Sequence, residues 1–175
     1  MDNPLVSVLM TAFNRERYIS EAIESVLAST YHNFELIIVD DCSKDNTVEI
    51  IKSYSNKDKR IRLFLNEVNL GDYPNRNKAA SHANGEIIIS VDSDDSIISN
   101  AIEHIVNLFR EFPKSNFLTL NRDSFFKEET EISSNELIRR HFLVQSNLHF
   151  GPGGTAIRVK FFNEIGGFPV AYGPA

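Results

Sequence analysis

The sequence predicts an α/β fold with a mostly parallel sheet. Short apolar runs rich in Val and Ile recur at 5–10, 34–39, 61–65, 86–91 and 116–120. Segments with helical periodicity lie between them, joined by short loops. A chain that alternates strand and helix in this way folds as right-handed βαβ units, which places the strands in parallel.

The elements follow in order. "LVSVLM" (5–10) is the first strand, and "RYISEAIESVLAS" brings Ile19, Ile23, Val26 and Leu27 onto one helical face. "FELIIV" (34–39) is the second strand, followed by a helix in "NTVEIIKSY" with Val48, Ile50 and Ile51. "IRLFL" (61–65) precedes "PNRNKAASHAN", where Pro74 suits a first helical turn and Gly85 a terminator. "EIIISV" (86–91) leads to "AIEHIVNLFREF", whose Ile102, Ile105, Val106 and Phe109 repeat the pattern, and then to "NFLTL" (116–120). Residues 121–147 break the rhythm: "NRDSFFKEETEISS" reads as a polar loop and "NELIRRHF" as a helix. "FGPGGTAIRVKFFNEIGGF" reads as a glycine turn, a strand at 155–159, a short helical stretch and a second glycine turn. The chain closes on "PVAYGPA", which is loop-like, so the expectation is one domain over 1–175 that is cut short.

Composition narrows the function classes. The 175 residues are 42% hydrophobic and 24% charged, which is ordinary for a globular domain with a real core. A net charge of −6 with a pI near 5.4 disfavours nucleic acid or an anionic membrane as the main partner. The single cysteine, Cys42, excludes an internal disulfide and fits a reducing compartment. The N-terminal residues lack a basic n-region, and no run of 18 apolar residues occurs. A cytoplasmic location is expected, at the inner face of a membrane if the chain is part of something longer.

In a parallel α/β sheet, ligands bind beyond the carboxyl ends of the strands, near the point where strand order reverses. Three clusters fall at such ends: "TAFNR" (11–15), "DDCSKDN" (40–46) and "DSDDS" (92–96). The last puts Asp92, Asp94 and Asp95 into four positions. Two like charges about 4 Å apart repel by about 1 kcal/mol in water and about 4 kcal/mol at a partly buried site. Either a divalent cation with phosphates offsets that, since Mg²⁺ commonly uses one or two carboxylates plus phosphate oxygens, or the residues form a solvated acidic turn ahead of a helix. In "VDDCSKDNT", Asp40 or Asp41 is suited to a nucleobase imide N–H, while Asp45 or Asn46 is suited to cap the next helix. In "TAFNRER", Phe13 either stacks on a base with Thr11 bonding nearby, or packs on the sheet with Asn14 as an N-cap. In "GDYPNRNKAA", Asp72 suits a cap, and Arg76 either points to the rim, where a diphosphate would suit it, or lies solvated on a helix face.

Several chemistries lack their motifs. No G-x-G-x-x-G follows the first strand, and no G-x-x-x-x-G-K-[ST] or G-x-S-x-G occurs. The five histidines lack zinc-ligand spacing.

Taken together, "VSVLMTAFNRERYISEAIESVLASTYHNFELIIVDDCSKDNT", "NLGDYPNRNKAA", "ANGEIIISVDSDD" and "NEIGGF" resemble the nucleotide-sugar-binding region of family 2 glycosyltransferases from about residue 4 to 168. The resemblance implies a GT-A fold, a Rossmann-like three-layer sandwich with a mostly parallel central sheet. Residues 1–120 would form the nucleotide-sugar-binding half and 121–175 the start of the acceptor side. It further implies that Thr11 and Phe13 lie in the loop that contacts and stacks on the base, with Asn14 also binding substrate, and that Asp41 reads a uracil imide with Asp40 beside it. Arg76 matches the arginine of an "ARN" block, here "NRN" with Asn75 in place of alanine. Asp92, Asp94 and Asp95 match the metal motif, with Ser93 and Asp94 at the donor. The implied cofactor is Mn²⁺ or Mg²⁺, the donor a UDP-sugar, and the acceptor a glycan, lipid-linked saccharide or protein.

The implied reaction is inverting sugar transfer, with a carboxylate base taking the acceptor proton. The family places that base several residues beyond "GGF". This sequence holds no acidic residue after Phe168, so the base is expected beyond Ala175 and none of the residues present is assigned to it. A non-catalytic nucleotide-sugar binder is the main alternative. A haloacid-dehalogenase-like phosphatase would need its D-x-D after the first strand, and here the motif follows the fourth.

Overall fold

The computed structural model describes residues 3–119, 133 and 155–170. Within them the order is β1 (Val6–Ala12), α1 (Ile19–Leu27), β2 (Phe34–Asp40), α2 (Thr47–Ser55), β3 (Ile61–Leu65), α3 (Asp72–Ser81), β4 (Ile87–Ser90), α4 (Ala101–Glu111), β5 (Phe117–Thr119), β6 (Thr155–Arg158) and α5 (Val159–Glu164). The expected loop and helix within 121–147, the first glycine turn and the end of the closing tail lie outside the described residues.

The continuous apolar runs reflect burial on both faces of the sheet, and every residue of β2 is buried. Side chains alternate across a strand, so Val6, Val8 and Met10 of β1 and Leu36 and Ile38 of β2 share one face with α1, α2 and α4. Leu9, Ile37 and Val39 share the other with Ala79 of α3 and Phe162 of α5. Two apolar cores thus sandwich one sheet, giving the three layers expected of a GT-A fold.

The six strands run β3-β2-β1-β4-β6-β5. The first four are parallel, with Val8 opposite both Leu36 and Ile89. β6 runs antiparallel to both β4 and β5, inserting a late segment between two earlier strands. The chain builds outward from β1 through β2 to β3, then crosses back to place β4 on the other side of β1. That reversal lies between β1 and β4, where α/β sheets open a crevice.

Two local expectations change. Gly85 does not end α3, whose cap residue is His82. A Cβ on Gly85 would sit 2.6 Å from the Leu5 carbonyl oxygen and 2.8 Å from the Ser7 amide nitrogen, so glycine serves a close approach between chain segments. Asp72 lies inside the first turn of α3, behind an N-cap Gly71 with φ 81, and its carboxylate receives Arg76 instead of capping.

Candidate functional site

The strand ends expected to carry the chemistry all reach one rim, because β1, β2 and β4 are parallel neighbours in register. Thr11, near the end of β1, is half-buried, and Phe13, on the loop that leaves it, is 43% exposed. The next residue, Asn14, turns left-handed at φ 54. Two bonds hold it: its amide donates to Ser43 Oγ at 2.9 Å, and its Oδ1 accepts from the Lys44 amide at 2.8 Å. Cys42, at φ 69, is the other non-glycine residue with positive φ among the described residues. Such conformations cost about 1–3 kcal/mol each and persist where the surroundings over-determine them, often at functional sites. Asn14 is therefore a fixed turn of the rim and not a helix cap, since the N-cap of α1 is Tyr18.

Asp40, the last residue of β2, and Asp41, which follows it, are both buried and bonded within the protein. Asp40 accepts from the amide and hydroxyl of Ser43. Asp41 Oδ1 accepts from Asn66 Nδ2 and the Leu70 amide, each at 2.8 Å, and Oδ2 accepts from the Gly71 amide at 2.9 Å. A carboxylate has about four acceptor positions. Asp41 uses three of them to pin the 66–71 loop, and the fourth, on Oδ2, has no donor among the described residues. The N-cap residue of α2 is Asn46, whose side chain makes no cap bond, and from the position before it Asp45 Oδ1 accepts the amide of Thr47, the first residue of the helix.

Beyond β4, the acidic triplet is spread across the rim. Asp92 is half-buried, Ser93 is buried, and Asp94 and Asp95 are exposed. The Asp95 amide donates to the Asp92 carbonyl, closing a turn. Arg76 reaches the triplet from α3: its Nε donates to Asp72 Oδ1 at 2.7 Å, and Nη2 lies 2.8 Å from Asp92 Oδ1. Its side chain is 11% exposed, so it is no solvated helix-face arginine. Asp94 Oδ2 lies 3.3 Å from Arg15 Nε.

Asp92 and Asp94 thus turn to different arginines, and no group of three His, Cys, Asp or Glu able to hold a metal exists among the described residues. The three aspartates expected as metal ligands are not gathered into one ligand set. What remains still fits a hard cation. The buried Asp92 Oδ1 has an ion-pair partner close by but no donor in hydrogen-bond geometry. Mg²⁺ and Mn²⁺ favour carboxylate oxygens, and one or two of them suffice when phosphates complete the shell.

The family model for glycosyl transferase family 2 matches residues 7–166. The chain belongs to this family. A relative from Escherichia coli, named UDP-Glc:alpha-D-GlcNAc-diphosphoundecaprenol beta-1,3-glucosyltransferase, is 37% identical over 79% of this chain and 57% of its own length. An uncharacterised glycosyltransferase of Haemophilus influenzae is 40% identical over 61% of this chain and 43% of its own. This glycosyltransferase-family chain therefore spans about half the length of the curated relatives it matches. Staphylococcus aureus TarS, crystallised in complex with UDP, superposes with a TM-score of 0.82 at 28% identity, covering 97% of this chain and 52% of that one. A Pyrobaculum calidifontis mannosyltransferase in complex with GDP-Man and Mn²⁺ superposes at 0.75 and 21% identity, a likeness that bears on the fold.

The family motifs indicate Arg76 and the aspartates but not their amide partners. Asn66 Nδ2 bridges Asp41 and Asn75 Oδ1, and Asn75 Nδ2 donates to the Val39 carbonyl. Asn75 is where the sequence departs from the family pattern, and that departure was the available signal. For Arg15 and Asn66, nothing in the local sequence distinguishes them from ordinary polar residues of a loop.

Proposed function

We propose that this domain transfers a sugar from a nucleoside-diphosphate donor, foremost a UDP-sugar, to an acceptor hydroxyl with inversion and with dependence on Mn²⁺ or Mg²⁺. The observation that supports it most is the joining of three strand ends at the topological switch point. Asn14 links the β1 and β2 loops, Arg15 links the β1 and β4 loops, and Arg76 ties α3 to Asp92. The UDP held by TarS and the UDP-glucose in the name of the Escherichia coli relative favour uridine as the base.

In this reading Phe13 stacks on the base with Thr11 and Asn14 at its edge. Asp41, with Asp40 supporting its loop, takes the imide N–H on its remaining acceptor position. Ser93 and Asp94 approach the ribose and diphosphate, and Arg76 draws the diphosphate toward α3. Asp92, whose Oδ1 has no hydrogen-bond donor among the described residues, would supply a carboxylate oxygen for the divalent cation, and Asp94 and Asp95, which share no ligand set with it here, would turn toward it. When bound, the cation stabilises negative charge on the departing nucleoside diphosphate. The acceptor hydroxyl attacks the anomeric carbon from the opposite side, and a carboxylate takes its proton. The acceptor is a glycan, lipid-linked saccharide or protein, and the domain works in the cytoplasm.

Calorimetry with UDP, GDP and dTDP, with and without Mn²⁺ or Mg²⁺, tests this directly. UDP should bind best and need the metal, and Asp94→Ala and Asp95→Ala should each weaken it about tenfold or more, a change of about 1.4 kcal/mol. No nucleotide binding in the presence of metal, or unchanged UDP affinity in both variants, would end the proposal.

A further inference from the structure

Arg15 stands two residues beyond Phe13 and has no part in the base, ribose or metal contacts proposed above. Its position is nevertheless fixed from several sides. The left-handed turn at Asn14 redirects the chain, and the Arg15 amide donates to Thr47 Oγ1 at 2.7 Å. Its side chain folds back, so that Nη1 donates to the Phe13 carbonyl at 3.1 Å while Nε faces Asp94 at 3.3 Å. This ion pair crosses between the loops of β1 and β4, the two strands that flank the switch point.

The charges around it are matched in an exchangeable way. Arg76 pairs with Asp92 and Arg15 with Asp94. Both members of the second pair are open to solvent, with side chains 40% and 45% exposed. Exposed ion pairs contribute little net stability and are readily traded for better partners. A divalent cation competes for the carboxylate, and a diphosphate competes for the guanidinium, whose planar fork suits phosphate oxygens. Exchanging both partners at once leaves no charge unpaired.

We propose that Arg15 is a second diphosphate-binding arginine, opposite Arg76, which Asp94 holds until a metal–nucleotide complex takes both partners. This rests on the nucleotide-sugar reading of the site. It separates two parts of the ligand, because Arg15 reads the phosphates and leaves the nucleoside to Phe13 and Asp41.

The test is calorimetry of wild type, Arg15→Gln and Arg15→Lys with UDP plus Mn²⁺, with uridine, and with Mn²⁺ alone. Arg15→Gln should weaken UDP about tenfold, as expected for loss of a charged hydrogen bond. Uridine affinity should change less than twofold, and Mn²⁺ alone should bind at least as tightly because Asp94 loses its competing cation. Arg15→Lys should fall between, keeping the charge without the fork. UDP affinity within twofold of wild type in Arg15→Gln would overturn the proposal. So would equal weakening of UDP and uridine, since that would mean a disturbed loop. A wild type that binds no UDP would defeat the reading of the whole site, whereas UDP binding that ignores Arg15 would defeat this role alone.

Discussion

Phe13 and Asp41 are both proposed nucleotide contacts, and the fold holds them in different ways. Phe13 has 43% of its surface exposed, so truncating it removes little from the core. Stacking of a base on an aromatic ring is worth about 1–3 kcal/mol. Phe13→Ala should therefore weaken UDP by roughly tenfold, while the melting temperature stays close to wild type, as for most surface substitutions. A lower melting temperature with unchanged UDP affinity would instead return Phe13 to a packing role. Asp41 is buried, and its carboxylate orders the 66–71 loop through three bonds. Sequence motifs marked it as a nucleotide contact. The loop it holds was not legible, because its donors lie 25 to 30 positions away and two of them are backbone amides.

Among the elements, α3 connects the most parts of the rim. Three consecutive residues do this: Asn75 bonds the end of β2, Arg76 pairs with Asp92, and Asn77 grips the glycine turn after α5. The Asn77 amide is used at both ends, with Oδ1 accepting the Phe168 amide at 2.8 Å and Nδ2 donating to the Phe168 carbonyl at 2.9 Å. Gly167, at φ 79, fits closely beneath, since a Cβ there would come within 2.6 Å of Asn77 Oδ1. Asn77→Ala should cost about 1–3 kcal/mol by leaving polar groups of the turn without partners. A lower urea midpoint with unchanged slope would report it. Gly167→Ala should destabilise through the same contact, and the double variant should lose less than the sum of the two. Additive losses would show that the two residues act separately. Pro74 at a first helical turn foretold that α3 exists, but not which of its faces would meet Phe168, 91 positions away.

At the scale of the whole molecule, a polar network closes the amino-terminal end of the sheet, opposite the rim. Glu35 accepts from Ser7 Oγ and the Asn84 amide, both at 2.7 Å, and pairs with Arg62. Burial pushes its carboxyl up, but the bonds from Ser7, Asn84 and Arg62 outweigh this and leave it below its ordinary value of 4.5. Nearby, His82 stacks on Phe64 with ring centroids 3.6 Å apart, and its Nε2 is buried with no hydrogen-bond partner among the described residues. Burial, and then the charges of Lys78 and Arg62, hold the imidazole below its ordinary 6.5. Both groups resist protonation in the folded state more than in the unfolded chain, so acid favours unfolding through each. The contributions of these two groups should be complete at neutral pH, fall first through His82 below 6.5 and fall again below 4.5 through Glu35, joined there by Asp45 and Asp58, which are also held low. Thermal melts of wild type and His82→Phe across that range would check the sign. His82→Phe should remove the first step and keep the second, and an unchanged first step would assign it to another group.

The sequence by itself determined the strands, the helices, their alternation and the family, because apolar period and burial are local properties of the chain. Its motifs also marked the strand ends that meet at the rim. Only the tertiary structure decided that β6 enters between β4 and β5, and that Asp92 and Asp94 turn to separate arginines. Nor could the sequence show that Asp41 holds a loop or that Gly85 admits a neighbouring strand. The physical reason is range. Burial favours an element wherever its pattern occurs, whereas a hydrogen bond or ion pair depends on distances of a few tenths of an ångström between residues that the fold brings together.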